Sequence, residues 1–297
     1  MIVRKTVPAI LFCISSLLSQ TVKTGLPFLK SGNDARSAAM GEAFTSLTND
    51  HYSYSFNPAT IRIAGQRQFA ISHRQGFSET TTDYMGVTLP GENVTLAFSA
   101  FTASVNDIEV RSRPGDPEGT FNARNGAINA GAALSLSDNI TIGVTGKLLY
   151  EKIYIDEASG YGLDAGMLYK ALDNVNIGAS VLNIGSMSVL RSERSVLPTT
   201  VRIGASYNTQ FSETISFLAA GDAVKTIDDN GTHIQLGVES AFDRMFMLRA
   251  GYQTGYETKS FSAGIGVMYG IIRFDYAFVP MTGAFSPNHC FSLMFNL

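Results

Sequence analysis

The chain has 297 residues, of which 45% are hydrophobic and 16% are charged, and its formal net charge is −3 at pH 7. This length allows one large β domain or two ordinary domains, and the mild acidity without a long basic run argues against a nucleic-acid partner. Beyond the N-terminus, no apolar run approaches the roughly 18 residues of a membrane-spanning helix, so a helical membrane protein is excluded.

The N-terminus has the layout of a secretory signal peptide. Arg4 and Lys5 precede an apolar run from Val7 to Leu18, and small and polar residues follow around Ser19 to Thr21. A membrane anchor is the alternative, but about twelve apolar residues are too few to span roughly 30 Å of hydrocarbon as a helix. We therefore predict that residues 1–21 are removed. The mature chain would then keep only one of its two cysteines, so it would have no internal disulfide.

Residues 22–66 are the part of the chain that least resembles a β-sheet. The stretch ARSAAMGEAFTSL (35–47) has Ala, Met, Phe and Leu at mixed spacing, which indicates a short helix or a plug of small residues. The pair Asn57-Pro58 marks a turn. We therefore predict that a compact N-terminal plug, or hatch, precedes the rest of the fold.

From residue 67 to residue 297 the dominant feature is an alternation of apolar and polar residues with a period of two. This period is typical of β-strands that present two different faces. The stretch VRIGASY, for example, places Val201, Ile203, Ala205 and Tyr207 on one face. Fourteen such strands are predicted near residues 67–74, 82–89, 93–103, 126–136, 140–152, 161–170, 175–184, 199–208, 214–223, 232–242, 244–253, 259–269, 271–280 and 288–297.

The connections between the predicted strands sort by length. Those after even-numbered strands are short and rich in turn residues, such as Asp138-Asn139 and Asp173-Asn174. Those after odd-numbered strands are longer, and the longest is predicted from Ser104 to Asn125. A strict alternation of short and long connections is typical of bacterial outer-membrane barrels, which have tight periplasmic turns and extended outer loops. A soluble β-sandwich has no reason to sort its loops in this way.

One face of these strands is apolar, whereas the other mixes Gly and Ser with charged residues. The stretch IIRFDYAFVP (271–280) would by itself fit a soluble sandwich too. An Arg that faces lipid at the bilayer midplane costs about 2–4 kcal/mol, and an open sheet edge in hydrocarbon is also unfavourable. We therefore predict an all-β fold, a closed antiparallel up-and-down transmembrane barrel of about 14 strands. Its lumen-facing charged residues are predicted to be Asp164, Arg202, Asp222, Glu239, Arg249, Arg273 and Asp275.

The last segment, NHCFSLMFNL (288–297), has the same alternation, with Phe291, Leu293, Phe295 and Leu297 on the lipid face. It resembles the closing strand of outer-membrane proteins, although that pattern prefers a terminal aromatic residue where this chain has leucine. We expect both termini to lie on the periplasmic side of a bacterial outer membrane.

The N-terminal segment resembles a known family. Its stretches FLK (28–30), ARSAAMGEAF (35–44) and NDHYSYSFNPATI (49–61) follow the N-terminal pattern of the PorV/PorQ family, within the FadL superfamily of fourteen-stranded barrels. The chain departs from that pattern at Glu42, where a second glycine is usual, and at Thr60, where Gly or Leu usually follows Asn-Pro-Ala. The matching positions are Phe28, Leu29, Ala35, Arg36, Met40, Gly41, Asp50, Asn57, Pro58 and Ala59.

This resemblance implies an outer-membrane protein that is not an enzyme. PorV-like members are accessory proteins of type IX secretion, which receive the C-terminal signal domain of a folded cargo and pass it to the surface attachment machinery. Other members of the superfamily carry hydrophobic molecules, and this channel function remains the alternative. In both cases the barrel is surrounded by outer-membrane lipid. A structural role, with ligand binding as the alternative, is expected for the plug residues Arg36, Met40, Gly41, Asn57, Pro58 and Ala59.

No residues in the sequence form a recognisable catalytic or metal site. The four histidines are widely separated and lack the spacing of metal ligands, and no serine with a supporting acid can be assigned to His289. We therefore predict no catalytic residues, no metal and no cofactor. Protein partners are expected to bind residues 104–125, whereas a channel would need an apolar pocket and a gap in the wall. A lumen sealed by residues 25–65 would count against transport.

Overall fold

The computed structural model describes residues 25–297, apart from residues 62–65, 77–79, 228, 230, 257 and 284. The predicted signal peptide therefore lies outside the described residues. Fourteen antiparallel strands form a closed barrel, in which neighbours in the chain pair with each other and the first strand pairs with the last. The predicted fold class is confirmed. None of the helices in the described ranges is long and apolar enough to cross a membrane.

Each of the fourteen predicted segments corresponds to one strand of the barrel. The barrel strands are β1 Gln68–Gln75, β2 Thr80–Leu89, β3 Val94–Val110, β4 Gly119–Ser135, β5 Ile140–Ile153, β6 Asp156–Leu172, β7 Val175–Met187, β10 Thr200–Gln210, β11 Ile215–Thr226, β12 His233–Phe242, β13 Phe246–Gln253, β14 Phe261–Tyr269, β15 Ile272–Val279 and β16 Asn288–Asn296. A short separate hairpin, β8 Val189–Leu190 and β9 Glu193–Arg194, lies in the connection between β7 and β10.

Exposure alternates along the barrel strands, because successive side chains point to opposite faces of the wall. On β10, for example, Ile203 is 58% exposed, whereas its neighbour Arg202 is 2% exposed. The large exposed hydrophobic side chains are distributed over the outer face of the wall. The outer face therefore matches the apolar band of a membrane barrel, and the inner face encloses the polar residues.

The prediction of one long loop over residues 104–125 is wrong. Strands β3 and β4 continue through most of this stretch, and only residues 111–118 connect them. A tilted strand of 17 residues spans about 40 Å, which exceeds the apolar band of about 25 Å. Beyond this band both faces meet water, so exposed polar residues such as Asp107 and Arg124 interrupt the alternation that identifies a strand.

The predicted strict alternation of short and long connections is also wrong in two places. Residues 154–155 alone connect β5 with β6, and residues 76–79 connect β1 with β2. The ends of the barrel still differ. We call the end with the connections after β2, β4, β6, β10, β12 and β14 the tight-turn end, and the opposite end the long-loop end.

The N-terminal residues run inside the barrel. Gly25 N donates a hydrogen bond to Val196 O (3.0 Å) at the long-loop end, whereas Arg67 N donates to Leu297 O (3.1 Å) at the tight-turn end. Gly25 and Leu297 therefore lie at opposite ends of the barrel, and the placement of both termini on the periplasmic side stays a prediction. The chain reaches β1 only after it has passed through the lumen.

This lumenal segment, residues 25–61, is built from short elements, two of which have an Asp cap. It comprises the 3-10 helices Pro27–Lys30, His51–Ser55 and Pro58–Ile61 and the α-helix α1, Ala35–Ala39. The Asp34 side chain accepts a hydrogen bond from Ser37 N (2.9 Å), and the Asp50 side chain accepts one from Tyr52 N (3.1 Å). Such caps satisfy backbone donors at the first turn of a helix, and they fix the start of α1 and of the 3-10 helix His51–Ser55.

Candidate functional site: the lumenal segment and its contacts

The lumenal segment lies directly on glycines of the barrel wall. A Cβ atom added to Gly237 would lie 2.4 Å from Met40 O, and one added to Gly251 would lie 2.0 Å from Gly41 N. No side chain fits in these gaps, because the contacted atoms belong to the backbone. Lumenal glycines on β12 and β13 thus allow the predicted Met40-Gly41 pair to pack against the wall.

The Asn57-Pro58-Ala59 turn is held from both sides. Asn57 Oδ1 accepts a hydrogen bond from Ala59 N (3.0 Å), which closes the turn. The Asn57 amide Nδ2 donates to Thr45 O (2.8 Å) and to Met167 O (3.0 Å) on β6. This side chain therefore connects two parts of the lumenal segment with the wall.

Six charged side chains form a closed ring of ion pairs, which we call the ion-pair ring. Two members, Arg36 and Asp50, belong to the lumenal segment, and the wall strands β12, β13 and β15 contribute the other four. Around the ring, the pairs are Arg36–Asp50 (2.8 Å), Asp50–Arg273 (2.7 Å), Arg273–Asp275 (2.7 Å), Asp275–Arg249 (2.7 Å), Arg249–Glu239 (2.5 Å) and Glu239–Arg36 (2.8 Å).

The charges of the ion-pair ring balance, since three guanidinium groups alternate with three carboxylates. Burial raises the pKa of Asp50, but the charges of Arg273 and Arg36 outweigh burial and lower this pKa to about 2. Asp50 is therefore ionised at neutral pH. Because each carboxylate contacts two arginines, loss of any one arginine leaves two carboxylates short of a partner.

A second cluster of charges holds the middle of the lumenal segment. Asp222 Oδ2 accepts hydrogen bonds from Phe44 N (2.9 Å), Thr45 N (3.0 Å), Thr45 Oγ1 (2.6 Å) and Arg202 Nη2 (2.9 Å). Arg202 Nη2 also donates to Glu42 O (2.7 Å). The wall charges of β10 and β11 therefore bind the backbone of the segment.

The remaining predicted lumenal charge, Asp164, lies apart from these two clusters. It forms an ion pair with Lys147 Nζ (2.8 Å) and accepts a hydrogen bond from Asn183 N (2.7 Å). Asn183 has a positive φ of 61° at a register shift between β6 and β7, and its Nδ2 donates to Pro198 O (3.2 Å). The sequence analysis missed Lys147, although the period-two pattern of β5 places it on the lumenal face.

His51 is buried against the lumenal face of β2. Its Nδ1 lies 2.6 Å from Thr88 Oγ1, and its Nε2 lies 2.7 Å from the Tyr84 hydroxyl. Burial lowers the pKa of His51 to about 4, although the charge of Asp50 raises it. The ring is therefore neutral at physiological pH, and it serves as a hydrogen-bonding member of the packed interior.

The tight-turn end of the lumen opens into a polar vestibule of about 900 Å³. Its floor includes Arg36, Glu239, Arg249 and Arg273 of the ion-pair ring. The vestibule is therefore bounded on its inner side by the lumenal segment. Two cavities between the segment and the wall measure about 20 and 30 Å³, which is room for about one water molecule each.

Apolar side chains fill the lumen toward the long-loop end. Leu26 and Phe28 of the lumenal segment pack in one buried cluster with Phe101, Leu149 and Leu197. Leu197 belongs to the connection between β7 and β10, which folds inward over this end. The lumen is thus occupied from the floor of the vestibule to the long-loop end.

A closed fourteen-stranded barrel with an apolar outer face and a buried N-terminal segment defines the class of outer-membrane β-barrels. The family model "Type IX secretion system protein PorV" matches residues 16–219. The chain belongs to this family, and it is an outer-membrane protein of type IX secretion. The family and the fold are those of outer-membrane channel and transport proteins and not those of enzymes.

Solved structures with the same fold are outer-membrane channels. The CymD monoaromatic hydrocarbon channel has a TM-score of 0.65 at 11% identity, and the match covers 90% of this chain and 98% of CymD. The toluene transporter TodX of Pseudomonas putida has a TM-score of 0.62 at 13% identity, with 90% and 97% covered. A FadL homologue of Pseudomonas aeruginosa has a TM-score of 0.57 at 10% identity, with 89% and 98% covered. No curated protein sequence matches the chain.

Proposed function

We propose that this protein is an accessory component of type IX secretion that binds protein partners at its long-loop end and conducts no solute through its lumen. The observation that carries this proposal is the occupied lumen. The lumenal segment is fastened to the wall by the ion-pair ring, by the Asp222 cluster and by backbone packing on glycines. In this role the segment is a plug.

The partner surface that we propose lies on the side of the barrel wall that has the longest strands. Strands β3, β4 and β6 have 17 residues each, whereas β13 and β15 have 8. The tips of the long strands therefore extend beyond the membrane. There Tyr154 is 59% exposed and Ile155 is 75% exposed, and Val110 is also exposed. Exposed apolar residues in water support a protein-binding surface, and the expected partners are secretion components and C-terminal domains of cargo.

Site-specific crosslinking tests this proposal. A photoactivatable residue in place of Ile155 should crosslink, in cells that secrete by this route, to a secretion component or to a cargo C-terminal domain identified by mass spectrometry. The same residue in place of Asn139, which lies at the tight-turn end, is the matched control and should capture neither. Equal capture from both positions, or no capture from position 155, would contradict the proposal.

The orientation of the barrel follows from the same proposal. If the tight-turn end faces the periplasm, a protease added outside intact cells should cut within residues 111–118 and spare the Asp138-Asn139 turn. Mass spectrometry of the fragments checks this result. Cleavage at Asp138-Asn139 with residues 111–118 intact would reverse the orientation.

The alternative function is a channel for hydrophobic small molecules, and the fold shared with hydrocarbon channels favours it. This function requires the plug to leave the lumen, which breaks the two ion pairs of the ring that join the plug to the wall, Asp50–Arg273 and Arg36–Glu239. Liposomes that contain the protein should therefore take up toluene no faster than protein-free liposomes. Uptake that depends on the protein would support the channel and count against the sealed lumen.

A further inference from the structure

The hairpin of β3 and β4 projects beyond the neighbouring strand β5. Strand β4 begins at Gly119, but its pairing with β5 begins only at Ala123, which lies opposite Ile153. Residues 119–121 still pair with β3 on their other side. On the β5 side, no strand in the described part of the chain pairs with residues 119–122. We call this stretch the free edge of β4.

The free edge lies in water and not in the membrane. Arg124, Lys152 and Glu157 are aligned in register across β4, β5 and β6, and the side chains of all three are exposed. A row of exposed charges marks the end of the apolar band of a membrane barrel. The free edge continues past this row toward the tip of the hairpin, so its backbone N–H and C=O groups are accessible to another protein chain.

The free edge lacks the features that prevent edge strands from pairing with other chains. Those features are charged side chains, proline and β-bulges. Residues 119–122 read GTFN and contain no charge and no proline, and Thr and Phe favour strands. Strand β3 has two such features, a register shift between Val105 and Ile108 and the charged pair of Glu109 with Arg111. The β4 side of the hairpin is therefore the side that can accept another strand.

Apolar side chains lie next to the free edge. Tyr154 and Ile155 form the turn between β5 and β6, and both are exposed, as is Ile153 at the end of β5. The ring of Tyr154 contacts the ring of Phe121 on β4, with centroids 5.6 Å apart. This turn lies where β5 ends, so a strand that continued the sheet along the free edge would contact these side chains.

We infer that an extended segment of a partner protein binds as an added β-strand along residues 119–122. This inference rests on the proposed secretion function and names how the partner is recognised. An extended backbone is the ligand that matches the unpaired N–H and C=O groups along a strand edge, and main-chain hydrogen bonds supply the affinity in this mode of binding. Tyr154 and Ile155 contact the side chains of the added strand and favour apolar ones.

A substitution that blocks the free edge tests the inference, with the photoactivatable residue at position 155 as the reporter in secreting cells. Thr120→Lys should lower the yield of the crosslinked partner about tenfold, because a lysine on an edge strand opposes pairing. Thr120→Val should leave the yield unchanged, since it removes the hydroxyl but keeps the backbone. Thr214→Lys, at an exposed threonine of the tight-turn end, is the matched control and should also leave the yield unchanged.

Hydrogen exchange followed by mass spectrometry tests the pairing itself. In the crosslinked complex, the backbone amides of residues 119–122 should exchange more slowly than in the free protein. The heat-resistant mobility of the folded barrel on gels confirms that each variant folds. If position 155 captures a secretion component, but Thr120→Lys does not lower the yield or the exchange at residues 119–122 is unchanged, the inference is overturned and the proposed function stands. Capture of nothing, or only of a second copy of this chain, would overturn both.

Discussion

Replacing Arg273 with methionine should lower the free energy of unfolding of the barrel by about 3–5 kcal/mol, the typical cost of removing one partner from a buried ion pair. Arg273 contacts both Asp50 and Asp275, and all three side chains are at least 94% buried. The variant leaves the ion-pair ring with a net negative charge in a buried place. Urea unfolding in detergent micelles, followed by far-ultraviolet circular dichroism, measures the change.

An exposed ion pair provides the matched control. Lys152 and Glu157 lie 2.5 Å apart, but their side chains are 39% and 50% exposed. Lys152→Met should therefore leave the midpoint of urea unfolding almost unchanged, because solvent screens this pair. A double variant, Arg273→Met with Asp50→Asn, should recover part of the lost stability, since it removes one of the two carboxylates that lack a partner. Equal midpoints for Arg273→Met and the unchanged protein would show that the ring does not stabilise the fold.

Replacing Gly251 with alanine should loosen the plug. The added Cβ would lie 2.0 Å from Gly41 N and 2.5 Å from Met40 C, so the backbone of the plug must move. Overpacking of this kind typically costs about 1–3 kcal/mol, and we expect the upper end of this range because no flexible side chain can move aside. Limited proteolysis should release fragments from residues 25–61 faster than it does in the unchanged protein.

Gly146 is the control for this substitution. It lies on the lipid-facing side of β5, and a Cβ added there would meet no atom within 4 Å. Gly146→Ala should leave both the unfolding midpoint and the proteolysis rate unchanged. If Gly251→Ala resists proteolysis as well as Gly146→Ala does, the plug is not held by its close contact with β13.

The two variants address different parts of plug retention. Close packing on glycines restricts how near the plug can lie to the wall, whereas the ion-pair ring selects its position along the wall, because each carboxylate has two partners at hydrogen-bonding distance. Buried ion pairs often contribute little net stability compared with apolar residues of the same size, and register is their best-established role. We therefore propose that the ring fixes the position of the segment along the wall.

The sequence by itself determined the strands, their faces and the closed barrel. The reason is that the period-two pattern is local, and hydrocarbon demands an apolar outer face and paired backbone groups. Arg273 and Asp275 could be assigned to a lumenal face from their immediate neighbours alone. The family also followed from local stretches, since its motifs lie within residues 28–61.

Only the tertiary structure decided which lumenal charges meet. The position of a residue in the period-two pattern of a strand gives the face on which it lies, but not its depth in the barrel or its neighbours. Arg36, for example, pairs with Glu239, 203 positions further along the chain. The long strands β3 and β4 were shortened in the sequence analysis because alternation ends where both faces of a strand meet water. The path of residues 25–61 through the lumen also depended on contacts between distant residues, since short capped helices with small side chains acquire a position only from the wall that surrounds them.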